Sequence, residues 1–212
     1  MKGSVVVFAR EPRPGRVKTR LAAAVGERAA ARLYAVLLKR TLAVVAASPF
    51  DAVVSLAEGP SEEWIGGLEL RWEVQPESDL GGRMEDAFNR RFGEGADLVI
   101  IVGSDCPRLH GRHLLAAADA LDRAPAVLGP SADGGYWLVA QRRPGVDLWT
   151  GMPWSSPGTL AATRKRLEEL GTPWVELDEL DDVDTEDDLR NALTDPMVSS
   201  EMRRRLRDAL HS

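Results

Sequence analysis

Ser4-Val5-Val6-Val7-Phe8 leads across Ala9 into Arg10-Glu11-Pro12-Arg13-Pro14-Gly15-Arg16-Val17-Lys18-Thr19-Arg20. The first five residues form a short β-branched and aromatic run of the kind that fills a buried strand. The segment after it holds two prolines, one glycine and five cationic side chains. A rigid basic loop at the carboxyl end of the first buried strand is where open α/β sheets hold anionic ligands. The stretch therefore predicts an α/β fold with a phosphate-binding edge. Neither the P-loop spacing G-x-x-x-x-G-K-[ST] nor the dinucleotide fingerprint G-x-G-x-x-G is present. With Gly15 as the loop's one glycine, side chains must supply much of the positive charge, arginine as a planar fork and lysine as a mobile point charge. Pro12 and Pro14 fix φ and lower the entropy lost in holding the loop around a ligand. An ordinary solvated basic turn is the plainer reading of the same residues.

Beyond the loop, apolar runs alternate with amphipathic ones. Residues 27–47 carry Leu33, Val36, Leu37 and Val44 at helical spacing. Strands are expected at 52–56, 68–74, 126–128, 136–140 and 174–177, with helices at 82–92, 110–121 and 156–170, the last ending at Gly171. Residues 97–102 contain Leu-Val-Ile-Ile-Val and read as the most deeply buried strand. Thr185-Glu186-Asp187-Asp188 is a capping box that opens a helix. This alternation predicts a single doubly wound, mostly parallel sheet with helices on both faces, with an antiparallel member after residue 126.

The chain has 212 residues, 44% hydrophobic and 28% charged, and a net charge of −6, which suits one domain over residues 1–212. An acidic balance argues against nucleic acid as a partner. Cationic side chains gather in the first loop and in the segment 199–212, where Arg203, Arg204, Arg205 and Arg207 read as a solvated helix face. A lone Cys106 excludes an intramolecular disulfide framework and fits a reducing cytosol. With no signal pattern and no run near the ~20 apolar residues of a membrane span, a cytoplasmic location is expected. His110, His113 and His211 read as surface residues, without transition-metal spacing.

Three acidic positions follow strand-like runs. Asp105 comes through a small-residue turn after the most buried strand, and it can anchor Mg²⁺ or cap a turn. Asp133 precedes Gly134-Gly135, which is a common turn sequence and equally a place where backbone can approach a ligand. In the acidic run 178–184, Asp184, with Asp182 behind it, stands at a strand-to-helix junction; the others read as a solvated loop. A carboxylate next to Cys106 disfavours a thiolate there.

Six motifs occur in order: FAREPRPGRVKTRL (8–21), QPESDLGGRMEDAF (75–88), VIIVGSDCPRL (99–109), GPSADGGYWLV (129–139), MPWSS (152–156) and DVDTEDDL (182–189). Together they resemble the GT-A-like nucleotide-diphospho-sugar transferase superfamily, specifically its bacterial glycosyltransferase-like branch near the deazaflavin-cofactor guanylyltransferases. The resemblance implies that Arg10, Gly15, Arg16, Lys18 and Arg20 hold nucleotide phosphates, and that Leu80, Gly81 and Arg83 lie near base and ribose. It implies Asp105 and Asp184 as ligands of Mg²⁺ or Mn²⁺, the second as in CMP-sugar synthetases. Asp133, Gly134, Gly135, Trp154 and Ser155, with Ser156, match the acceptor side. Lys18, Arg20 and Asp105 would be the catalytic residues. The loop departs from the family in lacking a G-G-x-G start.

The expected reaction is Mg²⁺-dependent transfer of a nucleotidyl group from a nucleoside triphosphate to a phosphorylated small molecule, releasing pyrophosphate. An anionic acceptor is already a nucleophile, so charge neutralisation and alignment matter more than a general base. The alternative is a glycosyltransferase with a nucleotide-sugar donor. It would favour a D-x-D-like motif, of which Gly103-Ser104-Asp105 supplies only the last acid.

Overall fold

The structure is a computed structural model that describes residues 2–154 and 156–211. Strand β1 (Gly3–Ala9) lies inside the sheet, and Val5, Val6 and Val7 have no exposed surface. Side chains alternate across a strand, so Val5 and Val7 enter one apolar cluster and Val6 the other. β4 (Leu98–Val102) repeats the pattern, with Leu98, Ile100 and Val102 on the first face and Val99 and Ile101 on the second. A strand covered on both faces needs an unbroken apolar run, which is why the sequence of β4 is so plain.

The remaining strands are β2 (Asp51–Leu56), β3 (Arg71–Val74), β5 (Ala126–Pro130), β6 (Tyr136–Arg142) and β7 (Trp174–Glu176). The seven strands are ordered β3-β2-β1-β4-β6-β5-β7. Every pairing is parallel except those of β6, which runs antiparallel to both β4 and β5. The antiparallel member expected after residue 126 is β6. The helices are α1 (Thr19–Val25), α2 (Glu27–Ala46), α3 (Glu62–Ile65), α4 (Leu80–Gly93), α5 (Gly111–Leu121), α6 (Thr159–Glu169), α7 (Glu186–Thr194) and α8 (Ser200–His211).

Leu38, Val44 and Val45 of α2 and Leu114 and Leu121 of α5 cover the face shared by Val5 and Ile100. Met84 and Phe88 of α4 and Leu160 and Leu167 of α6 cover the face of Val6 and Ile101. On the far side of α2, Leu33 and Leu37 meet Leu189, Met202 and Leu206 of α7 and α8. Helices thus lie on both faces of a mostly parallel sheet, as the alternation predicts.

The differences have local causes. α1 and α3 are absent from the sequence reading because each is a short segment without a full amphipathic period. β3 begins at Arg71 rather than 68, since Leu68 and Leu70 pack against the core from the preceding loop. α6 begins at Thr159 rather than 156 because Pro157-Gly158 intervenes. His113 is a correction. It is buried beside Trp137, with ring centroids 5.5 Å apart, and accepts from the His110 backbone N–H in the capping box of α5. No described helix is long and apolar enough to cross a membrane.

Candidate active site

The connections after β1 and β4 leave to opposite sides of the sheet, one towards β2 and the other towards β6 and β5. Such a switch point opens a crevice at the carboxyl ends of the strands. A cleft of about 490 Å³ lies there, lined from one side by Arg10, Arg16, Lys18 and Arg20 and from the other by Asp105 and Asp184. That volume is in the range of small-molecule sites.

The basic loop is held by contacts of its own. Glu11 is buried and accepts from Ser61 N–H (2.8 Å), Ser61 Oγ (2.7 Å) and the Arg13 guanidinium (2.5 Å). The hydrogen bond from Arg13 and those from Ser61 outweigh burial and hold the Glu11 carboxyl down at about 2. Arg13 is therefore occupied in supporting the loop. Among the described residues, the guanidinium groups of Arg10 and Arg16 meet no hydrogen-bond or ion-pair partner and remain free for an anion. Gly15 (φ 74°) is in the left-handed region that only glycine adopts cheaply, and it makes the turn that reverses the loop.

Tyr34 of α2 ties this loop to the opposite wall. Its hydroxyl accepts from Arg10 N–H at 3.0 Å and pairs with Ser104 Oγ at 2.8 Å, next to Asp105. Burial raises the Tyr34 pKa, so the hydroxyl stays protonated. Nothing in the sequence separates Tyr34 from the apolar stripe of α2, so its part in the site was not legible there.

Asp105 sits just past β4. The chain after β7 runs beside β5, with Leu177 and Leu180 N–H reaching the Leu128 and Pro130 carbonyls, and then crosses to donate Val183 N–H to Asp105 O at 3.2 Å. This crossing brings Asp182 and Asp184 to Asp105, and one oxygen from each of the three lies within 4.8 Å of the others. Ser131 Oγ donates to Asp182 at 3.1 Å. Burial, and then the negative charges of Asp105, Asp133 and Asp184, push the Asp182 carboxyl up to about 6. Thr185 caps α7, and Asp188 Oδ2 accepts from both the Asp184 and Thr185 backbone N–H groups, which fixes Asp184.

Lys18 enters this acidic cluster. It is the non-glycine residue with positive φ (48°) among the described residues, at the head of α1. Its Nζ lies 2.6 Å from Asp105 and 2.5 Å from Asp184, with the side chain only 5% exposed. Burial disfavours the ammonium, but the two carboxylates more than offset it and hold its pKa above the ordinary lysine range. Three hard oxygen donors this close together suit a divalent ion of the Mg²⁺ or Mn²⁺ type, and the ammonium held by two of them shows that the cluster accepts positive charge. Arg20 is mostly exposed, 3.9 Å from Asp184.

Leu80 and Arg83 of α4 line the cleft on the β2 side, where Arg83 Nη1 donates to Gln75 Oε1 at 3.4 Å. Gln75, unremarked in the sequence, is buried there and donates to the Ser55 carbonyl. Gly81 faces away, and a Cβ on it would fall 2.3 Å from Trp154 Nε1, so its smallness seats that indole. Trp154 stacks on Trp149, and Trp149 on Phe88. Asp133 accepts from Gly135 N–H in an exposed turn, and Gly134 packs against Pro157. This turn reaches the acidic cluster by charge, not through the cleft wall. Ser155 lies outside the described residues; Ser156 Oγ donates to the Pro153 carbonyl. Cys106 is buried, which with the charge of Asp105 pushes its thiol up to about 12.

The fold is that of nucleotide-diphospho-sugar transferases. A Desulfovibrio desulfuricans G20 protein assigned provisionally as such a transferase superposes with a TM-score of 0.90 at 29% identity, over 99% of this chain and 97% of that one. CMP:2-keto-3-deoxy-manno-octonic acid synthetase complexed with CTP matches over 90% and 96% of the two chains at 15% identity, TM-score 0.58. The Rv0371c protein of Mycobacterium tuberculosis H37Rv, in complex with manganese, matches over 94% and 100% at 19% identity, TM-score 0.51. No curated protein sequence matches the chain. A family model described as "Uncharacterized protein conserved in bacteria (DUF2064)" matches residues 38–156, more than half of the 212, and the chain belongs to this family.

Proposed function

We propose that the protein is a nucleotidyltransferase that moves a nucleotidyl group from a nucleoside triphosphate to a phosphorylated small-molecule acceptor. The observation that carries this reading is the divided cleft, with free Arg10 and Arg16 on one wall and Asp105 and Asp184 on the other, Asp182 standing behind them in the same acidic cluster. A phosphate oxygen of the acceptor attacks the α-phosphorus, a new phosphorus–oxygen bond forms, and the bond to the β-phosphate oxygen breaks to release pyrophosphate. Arg10, Arg16 and Lys18 bind the phosphate chain and neutralise the charge of the departing pyrophosphate, an electrostatic role that needs no proton transfer. Arg20, at the exposed rim, supplements them. Leu80 and Arg83 lie where the nucleoside would sit, with Gly81 shaping that wall through Trp154. By the motif resemblance the acceptor would lie towards Asp133, Gly134, Gly135 and Trp154, beyond the residues that line the cleft.

Asp105 and Asp184, with Asp182, would hold Mg²⁺ or Mn²⁺, which supplies charge neutralisation and alignment of phosphate oxygens. Support comes from the cluster's oxygen donors and from a manganese complex in a protein of the same fold. CTP in another neighbour supports a nucleoside triphosphate as donor. The position near deazaflavin-cofactor guanylyltransferases rests on the sequence motifs. A nucleotide-sugar donor with glycosyl transfer is the second reading, favoured by the designation of the Desulfovibrio protein.

Incubation with Mg²⁺, each nucleoside triphosphate and a panel of phosphorylated acceptors is expected to release pyrophosphate. Absence of release with every pair, alongside binding of a nucleotide sugar, would replace nucleotidyl by glycosyl transfer. Asp105→Asn is expected to lower metal-dependent turnover by about a hundredfold or more, because even outer partners of metal ligands contribute 10–100-fold. Unchanged turnover would remove Asp105 from the site.

A further inference from the structure

We propose that Lys18 is a resident counterion that competes with divalent metal for the Asp105–Asp182–Asp184 cluster. The inference rests on the cation-binding part of the reading above and adds a role for a side chain there taken only as a phosphate ligand. Its Nζ stands 2.6 Å from Asp105 Oδ2 and 2.5 Å from Asp184 Oδ1. Metal–oxygen distances for hard divalent ions fall in nearly the same range, about 2.0–2.6 Å. An ammonium and a dication therefore cannot both sit between these two oxygens.

The placement is built into the chain. Lys18 has a left-handed backbone conformation (φ 48°, ψ 46°), which a non-glycine residue adopts uncommonly. Its side chain is 95% covered, whereas Arg20, two residues on, is 74% exposed and only brushes Asp184 at 3.9 Å. Lys18 also lines the cleft with Arg10 and Arg16, so an entering phosphate chain offers its ammonium a second anionic partner. Metal entry and phosphate binding are then linked, and the linkage acts equally in both directions.

Mn²⁺ titrated into the nucleotide-free protein, followed by calorimetry or electron paramagnetic resonance, tests this directly. Lys18→Met is expected to bind Mn²⁺ about tenfold more tightly than the wild type or better, since a unit charge at contact distance is removed. Lys18→Gln, which keeps a polar donor beside the carboxylates, should tighten binding likewise and covers the case in which the methionine variant fails to fold. Arg20→Met removes the same formal charge from a solvated position and should shift affinity about threefold or less. Unchanged or weaker Mn²⁺ binding in both Lys18 variants, or equal tightening in Arg20→Met, overturns the proposal. If Mn²⁺ binding tightens in the Lys18 variants while no acceptor gives pyrophosphate, nucleotidyl transfer falls and the counterion role stands. If pyrophosphate is released and Mn²⁺ affinity does not respond to Lys18, only the counterion role falls.

Discussion

At the scale of single residues, buried polar groups organise the cleft. Tyr34 joins the Arg10 backbone to Ser104, and Phe in its place leaves the Arg10 N–H and the buried Ser104 hydroxyl short of a partner. Tyr34→Phe is expected to cost about 1–3 kcal/mol, read from urea denaturation. Glu11 is a pH-dependent anchor. Its carboxyl is held at about 2 against an ordinary 4.5, chiefly by the hydrogen bond from Arg13. A depressed carboxyl stabilises the fold fully above the unfolded value and loses that contribution as pH falls through the folded one. The melting-temperature gap between wild type and Glu11→Gln is thus expected to be widest at neutral pH and to shrink as pH drops from 4.5 towards about 2. A gap independent of pH would remove the charge on Glu11 from the loop's stability.

At the scale of elements, legibility follows how much of an element's shape is dictated locally. β4 was plain because burial on both faces requires an unbroken apolar run. The head of α7 was plain because the Thr185–Asp188 capping box is a local device. Thr185→Ala is expected to cost about 1 kcal/mol in thermal or chemical unfolding, and to loosen Asp184, whose N–H shares the Asp188 carboxylate. α1 is not legible because its seven residues hold less than a full amphipathic period, and its start is a left-handed Lys18 with no side-chain cap to mark it. His113 was misread because nothing near it in sequence announces Trp137 as a neighbour.

At the scale of the whole molecule, Asp105 and Asp184 were recognisable by their places after strands, but Lys18 between them was not. That juxtaposition depends on the crossing from β5 to Asp105 made by residues 177–184, a long-range event with no sequence period. If the cleft takes a nucleotide, saturation at about a hundred times the dissociation constant should add ~2.7 kcal/mol. For a chain of this size that raises the melting temperature by about 5–10 °C, measurable by a thermal scan with and without nucleotide and Mg²⁺. The reversed direction of β6 has a further consequence. β6 carries the chain from the site edge to the opposite edge, and residues 143–158 must bring it back, since Leu160 N–H binds the Gly134 carbonyl. The described residues of that return arm belong to no strand, so it can be lengthened or shortened without disturbing a single sheet register. Evolutionary insertions and deletions in this family are expected to concentrate in the arm, so that members differ along this flank around an unchanged sheet, and an alignment of family members would check this.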